Sequence, residues 1–200
     1  MFNREKNRKY LSDNFSKNSI LFKDKYCEIN VEKNNILPIL HKLKDDQNLQ
    51  FDQLMDLTAI DYPSRDNRFD IIYILLSMKK NERVIVKTSI KVKDDIESIT
   101  SIHKAANWYE RECYDLFGIN FINHPDLRRI MTDYNFEGHP LRKDFPLTGH
   151  NEVRYDDLEK KVIYEPVKLT QEYRNFDYMS PWEGIDNNLI GDDKFDEESK

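Results

Sequence analysis

"FDIIYILLSMKKNERVIVKTSIKV", residues 69–92, decides the fold. Its first nine residues are apolar at nearly every position, on both faces of any extended chain, which suits a strand in the interior of a sheet. The second half alternates. Val84, Val86, Thr88, Ile90 and Val92 share one face, while Lys87, Ser89 and Lys91 lie on the other, so this strand has a solvated side. The five residues MKKNE between the two runs, four of them polar, predict a hairpin turn, which makes the pair antiparallel.

The flanking segments extend the pattern. KYCEINVE (25–32) alternates as a strand does. Ile36, Leu37, Leu40 and Leu43 fall at helical spacing over 35–46, with Pro38 near the first turn, where a missing N–H is tolerated. FDQLMDLTAIDYP (51–63) predicts a short helical turn that runs into a strand ending at Pro63. A long helix is predicted over 95–117. Asp94 and Glu97 resemble a capping box, the apolar stripe runs through Ile99, Ile102, Ala106, Tyr109, Cys113 and Phe117, and Gly118 is placed to end it. On that helix Trp108, Arg111, Glu112 and Asp115 fall off the stripe, Glu110 flanks it, and Arg111 and Asp115, four apart, can pair. The expected class is α/β (α+β): a mixed or antiparallel sheet packed by helices.

Beyond Gly118 the periodicity ends. Residues 119–150 are rich in Pro, Gly and charge. From about 150 onward the apolar residues come in small knots around Tyr164, Phe176, Tyr178 and Trp182. Such a tail cannot bury enough surface by itself to offset its ordering cost, and its aromatic knots have the character of anchors for another protein's grooves. The expected organisation is an N-terminal extension (1–24), a core domain (25–149) and a long extended partner-binding arm (150–200).

Composition excludes several functions. Charged residues make up 34% of the chain and the net charge is -6, which disfavours nucleic acid, since phosphate binding needs a basic face. No apolar run approaches the roughly 20 residues that span a bilayer, so any membrane association is indirect. The basic start, MFNREKNRKY, has no apolar stretch behind it and does not resemble a secretory signal. The two cysteines, Cys27 and Cys113, fall short of the roughly four thiolates of an iron–sulfur cluster, and no CxxC or HxxxH spacing suggests a structural zinc site. They are expected to be reduced, partly buried thiols.

The densest chemistry lies in WYERECYDLFGINFINHPDLRRI, residues 108–130. Glu110 or Glu112 could act as a base and His124 as an acid, the arrangement of a free-standing acid–base enzyme. Nothing in the spacing brings His124 to a glutamate, however, and no nucleophile elbow or Gly-rich phosphate loop occurs. An exposed or interfacial ion-pair network, with Arg128 and Arg129 meeting carboxylates across an interface, is the simpler expectation. His124, His139 and His150 sit near Pro or Gly and read as hydrogen-bonding loop residues.

The same run, with Glu110, Arg111, Glu112, Asp115, Leu116, Phe117, His124, Arg128, Ile130 and Met131 at fixed intervals, resembles the signature segment of the 30 kDa (C) subunit family of proton-pumping NADH–quinone oxidoreductase, respiratory complex I. DYNFEGHPLRKDFPLTG is similar to that family's next segment, and VRYDDLEKKVIYEPVKLTQEYRNFDYMSPWEG to its C-terminal arm. Three motifs in order make the resemblance specific, and it covers roughly residues 25–185. It implies a member of the complex's hydrophilic arm with no cofactor or catalytic residue of its own, bracing the large D subunit, which with the B subunit forms the quinone pocket. The complex so implied moves electrons from NADH through FMN and iron–sulfur clusters to quinone, coupled to proton translocation. The implied location is peripheral on the inner membrane, on the cytoplasmic side of a bacterium or the matrix side of a mitochondrion.

Overall fold

The computed structural model describes residues 4–15, 19–23, 26–169 and 171. The chain divides into two compact units, Met1–Gly149 and His150–Lys200.

In the first unit the order is α1 (Arg4–Asn14), β1 (Ser19–Phe22), β2 (Tyr26–Asn30), α2 (Ile36–Asp45), β3 (Gln53–Asp61), β4 (Phe69–Ser77), β5 (Glu82–Ile90), β6 (Ile96–Glu97), α3 (Ala106–Phe117) and β7 (Phe121–Ile122). Five strands form a mixed sheet in the order β1-β2-β5-β4-β3, in which only the β2–β5 pairing is parallel. The predicted hairpin is present: β4 and β5 pair antiparallel from Phe69↔Ile90 to Ser77↔Glu82. Asn81, at positive φ, closes its turn. Val92 lies past the strand end and is exposed rather than on the buried face.

The pleat divides the sheet. Cys27, Ile29, Leu57, Ala59, Phe69, Ile71, Tyr73, Leu75, Val84, Val86 and Ile90 are buried in one core cluster with Ile36, Leu40 and Leu43 of α2 and Ala106, Cys113 and Phe117 of α3. Of residues 1–24, set apart by sequence as an extension, Leu11 and Phe15 join this cluster and Ser19–Phe22 forms the edge strand. At the opposite edge α3 lies against β3. There Tyr109 Oη donates to the Met55 carbonyl (3.1 Å) and Cys113 Sγ to that of Leu57 (3.7 Å), which occupies acceptors an edge strand would otherwise present. Both cysteines are free and buried.

The helix predicted over 95–117 is half that length. Ile96–Glu97 instead pairs in parallel with Phe121–Ile122, and turns follow to residue 105. The apparent capping box is not one. Asp94 meets Lys33 and the Lys91 N–H, and Glu97 accepts from Asn123. Ile99 and Ile102 are buried as the stripe requires, but from turns. The helical turn expected near residue 51 is also absent, and strand structure begins at Gln53.

The second unit begins as an antiparallel hairpin, β8 (Asn151–Asp156) with β9 (Lys161–Pro166), where the sequence shows no core-forming pattern. Val153, Tyr155, Val162 and Tyr164 share one face, and each is more than half exposed. Phe176, Tyr178 and Trp182 lie outside the described residues.

Candidate functional site

Helix α3 carries the first part of the dense run, and two of its carboxylates, Glu110 and Asp115, turn inward. Asp115, predicted off the apolar stripe and paired with Arg111, is fully buried and has other partners. Its Oδ2 accepts the backbone N–H groups of Ile130 (3.0 Å), Met131 (2.7 Å) and Thr132 (2.8 Å). Its Oδ1 accepts from Arg129 Nη1 (2.8 Å) and the Thr132 hydroxyl (2.5 Å). Burial alone would raise this carboxyl, but the bonds from Thr132, Met131 and Ile130 outweigh it and hold it down to about 2. Arg111 donates to the Arg128 and Arg129 carbonyls, each at 3.1 Å. A four-residue spacing permits the Arg111–Asp115 pair; the 128–132 loop, with three convergent N–H donors, is the stronger partner for the carboxylate.

The end of α3 is closed by the next segment. A helix leaves its last carbonyls without intrahelical partners. Here the Asp115 carbonyl meets His139 Nδ1 (2.8 Å), the Leu116 carbonyl accepts the Leu141 N–H (3.1 Å), and the Phe117 carbonyl accepts Arg142 Nε (2.6 Å). Gly118 caps the helix at φ 72°, where a β-carbon would run into Arg142 Nη2 and stand 2.5 Å from His139 Nε2. Farther along, Arg68 grips Asp61 with two bonds (2.6 and 2.8 Å) and reaches Asp144 (2.9 Å), while the Lys143 N–H donates to Asp61 (2.7 Å). Arg142 lies over the Phe69 ring, and Phe136 stacks on Phe145. Residues 128–145, irregular by sequence, are thus pinned to α3 and to the β3–β4 end of the sheet. Sequence reasoning missed Asp61 and Arg68, which stand far from the dense run and share no spacing with it.

Glu110, expected to be partly buried, is completely so. Its Oε1 accepts the Ile99 N–H (2.7 Å), which fixes the turn where a helix was predicted. Its Oε2 stands 3.9 Å from His124 Nε2, and both side chains are inaccessible to solvent. The fold therefore does bring His124 to a glutamate, through the β6–β7 pairing that seats residues 121–124 beside α3. His124 Nδ1 accepts the Asp126 N–H (3.1 Å), which leaves the Nε2 proton for the Asn107 carbonyl (3.0 Å). Burial pushes the Glu110 carboxyl up to about 7. Glu112 is exposed and apart from this pair, so the three do not converge. Leu116 and Ile130 are half-buried, Phe117 is buried, and Arg128 and Met131 are exposed.

Among the described residues no group of three or more His, Cys, Asp or Glu is arranged to hold a metal ion, and no helix is long and apolar enough to cross a membrane. Exposed apolar side chains include Trp108 on α3, Met131, Tyr134 and Leu141 in the pinned segment, and Leu147 just beyond it. The geometry is that of a surface segment braced from within: Asp115 has its oxygens bonded, whereas Glu110 Oε2 is buried without a hydrogen-bond partner among the described residues.

Comparison with known proteins gives the family. The chain is 57% identical over 163 residues to the C subunit of NADH-quinone oxidoreductase from Hyphomonas neptunium, covering 82% of this chain and 81% of that one. It is 55% identical over 171 residues to the protein of that name from Ruegeria pomeroyi, covering 84% and 86%. Among solved structures, a chain of the membrane-bound sulfane sulfur reductase, an archaeal respiratory membrane complex, shares the fold at a TM-score of 0.63 and 23% identity, over 72% of this chain and 85% of that one. A family model described as respiratory-chain NADH dehydrogenase, 30 Kd subunit, matches residues 29–151. With that match spanning more than half of its length, the chain belongs to the 30 Kd subunit family of the respiratory-chain NADH dehydrogenase.

Proposed function

We propose that this chain is a non-catalytic bracing subunit of an NADH–quinone oxidoreductase, peripheral to the membrane, working in the hydrophilic arm beside the D and B subunits. The observation that carries this is the inward orientation of the signature. Asp115, Arg111, His139 and Arg142 engage the chain's own backbone. Glu110 and His124 face each other where no substrate reaches. Residues so engaged shape a rigid surface and leave no aimed acid, base or nucleophile on it.

Electron transfer and proton translocation belong to the assembly, whose FMN, iron–sulfur clusters and quinone site lie in other subunits. This chain holds no cofactor. Its contact with the large D subunit is made by the pinned 128–145 segment, with Arg128, Ile130 and Met131, and by the C-terminal unit, with Tyr164, Phe176, Tyr178 and Trp182 as anchors. It reaches the membrane only through the complex, on the cytoplasmic or matrix side. The test is affinity purification of the tagged chain from native membranes, with the visible spectrum of the isolated chain recorded in parallel. A co-purifying NADH-oxidising complex and a colourless chain are expected. Stoichiometric flavin or iron in the isolated chain, or its absence from any such complex, overturns the reading.

A further inference from the structure

The run that decides the fold is apolar on both faces, and the core uses only one of them. Phe69, Ile71, Tyr73 and Leu75 enter the core. Ile72, Ile74 and Leu76 of β4 point the other way, as does Ile85, which pairs with Ile74 on β5. These four are half-buried, and they are neither in the core cluster nor among the partly buried side chains that pack on it. The strip is short and directional. Ile72 to Leu76 spans about 13 Å along the strand, close to the roughly 11 Å of two helical turns. Its two flanks carry opposite charges. Arg83 stands opposite Leu76 on the β5 side, and Asp56 opposite Ile74 on the β3 side; neither makes a salt bridge among the described residues. The other ions on this face are matched, Lys87 with Asp70 (2.9 Å) and Glu28 with Lys23 (3.6 Å).

We infer that this open sheet face is a docking site for an amphipathic helix of a neighbouring subunit of the complex. Sheets with an apolar face are completed by a packed second layer, and a helix is the element whose apolar stripe matches a strip of this length and width. Arg83 and Asp56, without a salt bridge among the described residues, specify its flanks, a carboxylate toward Arg83 and a cation toward Asp56, and so its orientation. The inference rests on membership of a multisubunit assembly; the strip's residues are other than those of the pinned 128–145 segment.

The test is made in the native complex. A photo-reactive phenylalanine analogue replaces Ile74 in the full-length chain, the complex is purified and irradiated, and the cross-linked peptides are sequenced. A cross-link to one helical segment of another subunit, with apolar residues at intervals of three and four and the stated charges beside them, is the expected result. A cross-link within this chain or to a second copy of it, or none although the chain is present in the complex, overturns the inference and leaves the bracing role standing. Absence of the chain from the complex would instead strike at the bracing role. In parallel, Ile74→Glu is expected to lower recovered complex by roughly tenfold or more, with the thermal transition of the isolated chain unchanged because the side chain lies outside the core. Ile74→Thr, which keeps the β-branched shape, is expected to cost less. Full recovery of the Ile74→Glu complex overturns the proposal.

Discussion

Asp115→Asn should unfasten the 128–132 loop. In the best orientation the asparagine carbonyl keeps the N–H groups of Ile130, Met131 and Thr132, and the amide NH₂ then faces Arg129 Nη1, which stood 2.8 Å from the lost oxygen. A charge-assisted bond is lost and two donors are opposed where the carboxylate is fully buried. Loss of such a bond and an unmatched guanidinium together cost about 3 kcal/mol. For a domain near this size, that lowers Tm by about 6–12 °C. The pH dependence gives an independent check. The carboxyl is held down to about 2 from an ordinary value of 3.8. A depressed carboxyl contributes stability that is present above its unfolded pKa and lost as pH falls through its folded one. Roughly 2 kcal/mol should therefore disappear between about pH 4 and pH 2 in the parent, and this component should be missing in the variant. Thermal melts at neutral and acid pH, with limited proteolysis to report on residues 126–142, measure both. A Tm within about 2 °C of the parent together with unchanged cleavage would show that Asp115 does not hold the loop.

Glu110→Gln should act in the opposite sense. Burial raises the Glu110 carboxyl from 4.5 to about 7, so the parent loses stability as pH rises from about 4.5 to 7, by roughly 3 kcal/mol, and then levels off. The glutamine keeps the Ile99 bond without the charge, so melts from pH 5 to 8 should be flatter and the variant at least as stable as the parent at pH 8. Gly118→Ala forces a side chain into positive φ and against the tips of Arg142 and His139, which should cost about 1–2 kcal/mol and expose residues 139–142 to protease. Ending the chain after Gly149 should leave a folded domain, since Met1–Gly149 is a compact unit with its own core. Its circular dichroism should be retained while its recovery in the complex falls. An unfolded fragment, or one incorporated normally, would contradict the assigned role of the C-terminal unit.

Local pattern determined much of this protein. The β4–β5 hairpin, the α2 stripe, the strand at 26–30 and the stop at Gly118 are written in spacings of two and of three to four residues, which depend only on backbone geometry. Family membership was legible too, because its motifs are runs of neighbouring residues. What the motif residues do was not legible. Asp115 lies four residues from Arg111, which suggests a pair on a helix surface, yet three N–H groups fifteen or more residues away outcompete it. Ile99 and Ile102 match a helical stripe, but a two-residue strand pairing and the Glu110 carboxylate hold them in turns. Glu110 meets His124 only because β7 returns beside β6. In each case the deciding partner is distant along the chain and convergent in space. A periodicity records which side of an element is apolar; whether that side meets the chain's core cluster or stays outside it among the described residues, as at Ile72, Ile74, Leu76 and Ile85, is decided only when all the layers are assembled.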